Sequence, residues 1–154
     1  MLNVVLVNPE IPPNTGNIGR LCCAVGARLH LIQPLGFSLD DRYLKRAGLD
    51  YWNKLDLEVW NDLDAYLASV SALQIVLTGS KRGELYHKIA YRPEDHILFG
   101  PETTGLSVEM FNLFPSRIAR IPIDLKKVRS LNLSTAAGIV VYEALRQIGE
   151  LPAQ

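Results

Sequence analysis

Apolar runs of strand length alternate along this chain with stretches whose apolar positions recur every three or four residues, the pattern of an α/β domain on a parallel sheet. Leu2 to Val7 reads as a strand of the kind buried on both faces, and Asn17 to Val25 as a short helix stopped by Gly26. Leu29 to Ile32 predicts a second strand, closed by Pro34. Asp40 to Ala47 predicts a short charged helix ending at Gly48, and Asp62 to Ser69 a helix with Leu63, Tyr66, Leu67 and Val70 on one side. Leu73 to Thr78 and His96 to Phe99 are predicted strands that run into glycines. Ser107 to Phe114 follows as a helix stopped by Pro115, and Ile118 to Ile123 as the last strand. The final helix has the clearest periodicity, with Leu133, Ala136, Ala137, Val140, Val141, Ala144, Leu145 and Ile148 at three- and four-residue spacing. No repeat, low-complexity tract or linker interrupts the series. Residues 1–154 are therefore expected to form one α/β domain, a mostly parallel sheet flanked by helices.

A chain of 154 residues supports one core and hardly two. No apolar run reaches the roughly 18 residues of a membrane span. The opening residues have neither the basic leader nor the cleavage site of a signal peptide, so no membrane partner is expected. The only cysteines, Cys22 and Cys23, are adjacent and read as small apolar core thiols. His30, His87 and His96 are far apart and lack companion ligands, so no metal is expected. These features together fit a reducing cytoplasm. Sixteen basic residues balance sixteen acidic ones, which leaves local patches to make any contact with nucleic acid. The candidates are Arg42/Lys45/Arg46, Lys81/Arg82, and the series Arg117, Arg120, Lys126, Lys127 and Arg129, although each also reads as a solvated face.

Three segments carry candidate chemistry. The first runs from Asn8 through Pro9-Glu10-Ile11-Pro12-Pro13-Asn14-Thr15-Gly16-Asn17 to Arg20, between the first strand and first helix, where an α/β fold places its ligand loop. Three prolines stand where a dinucleotide fold would want closely spaced glycines, and there is no Walker lysine. Two asparagines and an arginine suit phosphate or ribose contacts, while an Asn or Thr helix cap is the plainer reading. The second segment, Gly100-Pro101-Glu102-Thr103-Thr104-Gly105-Leu106, ends a buried strand with glycines that let backbone approach a planar ligand. In the third, the strand ending Ile121-Pro122-Ile123 feeds a basic loop, Asp124 to Arg129, and then Ser130-Leu131-Asn132-Leu133-Ser134 opens a helix of small residues.

In this order the three segments resemble the motif set of the SPOUT superfamily of RNA methyltransferases, and are most similar to its tRNA wobble-position (cytidine/uridine) 2′-O-methyltransferases. The resemblance covers essentially the whole chain. It implies a five- or six-stranded parallel sheet with a C-terminal deep trefoil knot, which periodicity could not have revealed. It also implies S-adenosylmethionine as cofactor and tRNA as partner. The cofactor walls would be Leu77, Thr78, Gly79, Gly100, Ile121, Ile123, Ser130 and Leu131. RNA would be met by Asn14, Asn17, Glu102, Lys126, Lys127, Arg129 and Asn132. Arg20 is the residue the resemblance ties to deprotonation of the 2′-hydroxyl, and Tyr142 would position RNA or serve an interface. A homodimer is implied, with the first and last helices at its two-fold axis and the active site shared. Alternatives of the same scaffold are a ribosomal RNA 2′-O-methyltransferase and a catalytically silent RNA-binding module.

Overall fold

The computed structural model describes residues 1–40, 42, 44 and 51–153. Its strands are β1 (Asn3–Val7), β2 (Arg28–Ile32), β3 (Leu57–Trp60), β4 (Ile75–Gly79), β5 (Glu84–Leu85), β6 (His96–Phe99) and β7 (Ile118–Arg120). They form a seven-stranded sheet in the order β3-β2-β1-β6-β4-β7-β5, with every neighbouring pair parallel. The helices are α1 (Pro12–Val25), α2 (Leu63–Ala68), α3 (Val108–Leu113) and α4 (Leu133–Ile148). The helix expected from Asp40 to Ala47, and with it the Arg42/Lys45/Arg46 patch, falls largely outside the described residues.

The apolar run of β1 sorts by alternation, because successive side chains of a strand point to opposite faces. Leu2, Val4 and Leu6 pack with Ile18 and Cys22 of α1 and with Ala137, Val140, Val141 and Ala144 of α4. Val5 and Val7 pack on the other face with Tyr66 of α2 and Met110 of α3. Both layers are apolar, so the strand needs no polar face. It is wholly buried. The sheet is thus covered by α1 and α4 on one side and by α2 and α3 on the other.

Several boundaries differ from the sequence expectation. Helix α1 starts at Pro12, because the prolines occupy its first turn, where the missing N–H would have had no intrahelical partner. Its N-cap is Ile11 without a side-chain cap, so neither Asn14 nor Thr15 serves there. The stop at Gly26 stands: this residue is left-handed, φ 70°, and its N–H bonds back to Cys22. β7 ends at Arg120, two residues ahead of Pro122, which leaves Ile121 and Ile123 in the following loop. Leu73 sits in a 3-10 turn, Ala72–Gln74, ahead of β4. Edge strands β3 and β5, which bring the sheet to seven rather than five or six, were not predicted: β3 has no buried residue and so no continuous apolar run, and β5 has only two residues. By contrast, Asp62, Ser107 and Asn132 cap α2, α3 and α4, each accepting from a backbone N–H two or three residues on.

The histidines also depart from expectation. His30 and His96, distant in sequence, stand with ring centroids 5.8 Å apart between the sheet and α2. Trp60 donates its indole N–H to His30 Nδ1 at 3.1 Å, so the ring proton lies on Nε2, 3.0 Å from Asn3 Oδ1. Tyr66 and His96 share a further hydrogen bond. Burial, seconded by His96 and Arg28, lowers the His30 pKa to about 4.

Candidate functional site

At the carboxyl ends of β4, β6 and β7 the chain forms a cavity of about 910 Å³. Open α/β sheets place ligands at this end because the loops there are free to vary while the strands hold their origins fixed. Thr78, Gly79, Gly100, Ile121, Ile123, Ser130 and Leu131 all line it, together with Phe99, Leu106, Ala136 and Val140. Leu77 does not. Its side chain points to the α2/α3 layer and is fully buried there, so any part it takes in the cofactor wall falls to its backbone. Alternation alone explains this, since Leu77 and Thr78 face opposite sides of β4. Sequence reasoning missed Val108 and Phe111 of α3, which read as ordinary helix residues. It assigned Lys81 and Arg82 to RNA contact without placing them at the cavity, although they follow directly on the carboxyl end of β4.

Gly100 is required by the chain's own path. A Cβ there would lie 2.2 Å from the carbonyl carbon of Gly105 and from the Leu106 amide nitrogen. The segment after β6 therefore folds back onto Gly100, closed by the Gly105 N–H to Pro101 carbonyl bond of 2.8 Å. The glycine thus serves the turn itself, at a position that also lines the cavity.

The three motif segments are joined by a side-chain network. Glu102 accepts from the backbone N–H groups of Glu10 and Ile11, at 2.8 and 3.1 Å, and from Asn14 Nδ2 at 3.3 Å. In return the Glu10 carboxylate accepts from the Thr103 N–H at 3.0 Å and its hydroxyl at 2.7 Å, bonds that lower its pKa. Asn14, itself buried, accepts from Asn132 Nδ2 at 3.0 Å. Asn132 Oδ1 accepts from the Ser134 and Thr135 N–H groups and caps α4. A carboxylate beside the otherwise uncapped start of α1 also complements the helix dipole. Asn14, Glu102 and Asn132 were expected at RNA; the structure turns their polar groups toward one another, and they act as the clasp that holds the loops in place.

Arg20, Asn17 and Tyr142 are exposed and are absent from the cavity lining of their own chain. Arg20 and Asn17 share the outer side of α1 with Pro13, at three- and four-residue spacing, and α1 packs against α4, which carries Tyr142. Among the basic residues, Lys126, Lys127 and Arg129 are exposed on the loop before α4, and Arg129 also lines the cavity. Arg117 leaves the expected patch, since it is committed to a buried ion pair with Asp95 at the opposite end of the sheet. Arg120 donates to the Gly83 carbonyl, and the Arg82 guanidinium rests on the Phe111 ring, 4.9 Å from its centroid. Cys22 is buried, and burial raises the pKa of both cysteines, which keeps them as thiols. Among the described residues no group of three His, Cys, Asp or Glu side chains gathers around a point, and no helix is long and apolar enough to cross a membrane.

A parallel α/β sheet whose carboxyl edge opens into a cavity walled by glycine backbone and apolar side chains defines a protein built to hold a nucleoside-like ligand. Comparison with known proteins narrows this. The chain belongs to the SpoU rRNA Methylase family, whose model matches residues 1–142. It is 45% identical over 150 residues to a tRNA (cytidine(34)-2′-O)-methyltransferase of Saccharophagus degradans, covering 97% of each chain. A protein of that description from Escherichia coli is 44% identical, with 97% of this chain and 95% of the relative covered. Among solved structures, one described as giving insights into the 2-OH methylation of C/U34 on tRNA superposes with a TM-score of 0.85 at 44% identity, covering 96% of this chain and 95% of that one. An AdoMet-bound rRNA methyltransferase from Sinorhizobium meliloti matches with a TM-score of 0.83 at 28% identity, over 94% of this chain and 56% of that chain.

Proposed function

We propose that this chain transfers a methyl group from S-adenosylmethionine to the ribose 2′-hydroxyl of the wobble nucleotide, cytidine or uridine 34, of tRNA, acting in the cytoplasm as a homodimer. The observation that carries the reading is the cavity in which all three motif segments meet, in a chain similar to wobble 2′-O-methyltransferases from end to end. Identity of 45% and 44% to the wobble methyltransferases, against 28% to the rRNA methyltransferase, favours tRNA over ribosomal RNA.

The cavity suits the cofactor. Its inner walls are glycine, Thr78 and apolar side chains, which accept an adenosine by packing and backbone hydrogen bonds. Its charged members are Lys81, Arg82, Arg129 and Glu102, and the carboxylate is already engaged by amides, so the balance favours the anionic groups of amino acid and RNA. S-adenosylmethionine supplies a methyl group activated by a positive sulfur. The protein's share is orientation, on the order of 7–11 kcal/mol where alignment is well enforced. It must also let the hydroxyl lose its proton. A guanidinium has no lone pair to spare and is a poor base, so Arg20 pairs with the adjacent phosphate and poises the sugar.

Arg20 and Tyr142 lie on the outer faces of α1 and α4, and a two-fold contact along these helices brings each chain's Arg20 to the other's cavity. Gly138 fits that arrangement, for a Cβ there meets nothing within 4 Å in the single chain. The segment from Ile121 to α4 threads the preceding loops as a deep trefoil knot. The test combines two measurements. S-adenosylhomocysteine should bind by calorimetry, and nucleotide mass mapping should show the 2′-O-methyl group at position 34 disappear from tRNA of a deletion strain. Absence of binding would indicate a silent module, and loss at a ribosomal nucleotide instead would reassign the substrate. Mixed dimers of Arg20→Ala with Leu131→Trp should regain activity. Confirmed mixed dimers without activity would return Arg20 to its own chain's cavity.

A further inference from the structure

We infer that Tyr51 is a positioning residue for Arg20, fixing the turn of α1 that carries the arginine and supplying the face on which its guanidinium rests. The inference rests on the reading of Arg20 given above.

Three independent attachments bring Tyr51 to this turn. Its hydroxyl donates to the Gly16 carbonyl. Gly16 is four residues before Arg20, so in a regular helix the same carbonyl accepts the Arg20 N–H, and its second lone pair is free for the phenol. The Arg20 guanidinium lies over the Tyr51 ring, 5.4 Å from the centroid, within the range of a cation–π contact. The Tyr51 carbonyl in turn accepts from Cys23 Sγ at 3.5 Å, one turn further along α1. Tyr51 is itself 8% exposed, and burial raises its pKa, which keeps the phenol a donor.

Gly19 makes the approach possible. A Cβ at that position would stand 3.2 Å from Leu55 Cδ2, 3.3 Å from Trp52 Cζ3 and 3.4 Å from Tyr51 Cε2. Gly19 thus acquires a reason of its own: it leaves room for the segment that brings the ring. An exposed arginine otherwise samples many rotamers, and each wrong rotamer is a lost alignment. A ring anchored at both its hydroxyl and its backbone is a fixed platform, and it orients the guanidinium without touching RNA or cofactor.

The experiment measures steady-state methylation of tRNA by the full chain with Phe, pentafluorophenylalanine or Leu at position 51. Phenylalanine and its fluorinated form have nearly the same shape but opposite ring quadrupoles, so a merely structural role would not separate them. Tyr51→Phe should retain kcat within about twofold, while the fluorinated ring and Tyr51→Leu should lose about three- to fivefold or more relative to Phe. KM for S-adenosylmethionine should stay unchanged. The Arg20 Nε–Hε resonance should carry a ring-current shift in wild type and Tyr51→Phe, and lose it in Tyr51→Leu. If Tyr51→Leu does not fold, the two aromatic forms decide the matter alone. Equal kcat for Phe and pentafluorophenylalanine, with Arg20→Ala inactive, overturns the inference but leaves the function standing. An active Arg20→Ala overturns the reading of Arg20, and the inference with it.

Discussion

Replacing Arg117 by methionine should destabilise the protein as severely as any single change outside the cavity. Asp95 is completely buried at the start of β6, and its two carboxylate oxygens meet the Arg117 guanidinium at 2.9 and 2.5 Å. Arg117 also donates to the Leu73 and Ala90 carbonyls, and the Asp95 carbonyl accepts the Asn3 N–H. One ion pair thus ties together the amino-terminal ends of β1, β4, β6 and β7. Both carbonyls can find water once Arg117 is gone, so the main cost lies in the stranded carboxylate. Breaking such a pair costs about 3–5 kcal/mol. Protonation sets a ceiling, because neutralising an aspartate at pH 7 costs about 4 kcal/mol, and at pH 5 only about 1.5 kcal/mol. For a chain of this size a loss of 4 kcal/mol lowers Tm by about 10 °C. Calorimetry at both pH values should show the defect at pH 7 shrink by more than half at pH 5. The double variant Asp95→Leu with Arg117→Leu should recover most of the loss, since no charge is left unpaired. A Tm for Arg117→Met within 2 °C of wild type at pH 7 would refute the reasoning.

Urea denaturation should show stability falling as pH drops from 6.5 towards 5, because an unfolded His30 gains a proton near 6.5 while the folded one resists until about 4. The full span is worth about 3 kcal/mol, His96 shifts in the same direction, and a flat profile in this interval would count against the buried imidazoles. Gly100→Ala should lose about 2 kcal/mol of stability as well as S-adenosylhomocysteine affinity, since its methyl group displaces the Gly105–Leu106 backbone. An alanine variant with wild-type Tm and affinity would contradict this. Neutralising Lys126, Lys127 and Arg129 together should flatten the slope of log affinity for tRNA against log salt by about 2. The slope should be insensitive to Arg117→Met, and the reverse pattern would move the RNA to another face.

How much was legible beforehand depended on whether a feature is local. The apolar run of β1, the periodicity of α4, the starts of α2 and α3 near Asp62 and Ser107 and the stop at Gly26 were readable because each is set by neighbours within a turn or a strand. The three motif segments could likewise be recognised as unusual, and seven of the eight residues assigned to the cofactor wall do line the cavity. Long-range partnerships were not readable. Nothing in the spacing says that Glu102 receives the amides of Glu10 and Ile11, 92 and 91 residues away, or that Asn132 reaches Asn14 across 118 residues. The same holds for Arg117, which looks like one more cation in a basic series until the sheet brings Asp95 against it. Nor was it readable which side chain of the β4 end turns to the cavity, because only the pairing of β4 with β6 and β7 sends Thr78 there and Leu77 to the opposite layer. The sequence by itself determined the elements, their order and the chemistry on offer, since propensity, capping and periodicity act over a few residues. Tertiary structure decided which polar groups bind one another and which remain for a ligand, because a buried polar group must find its partner wherever the fold brings one.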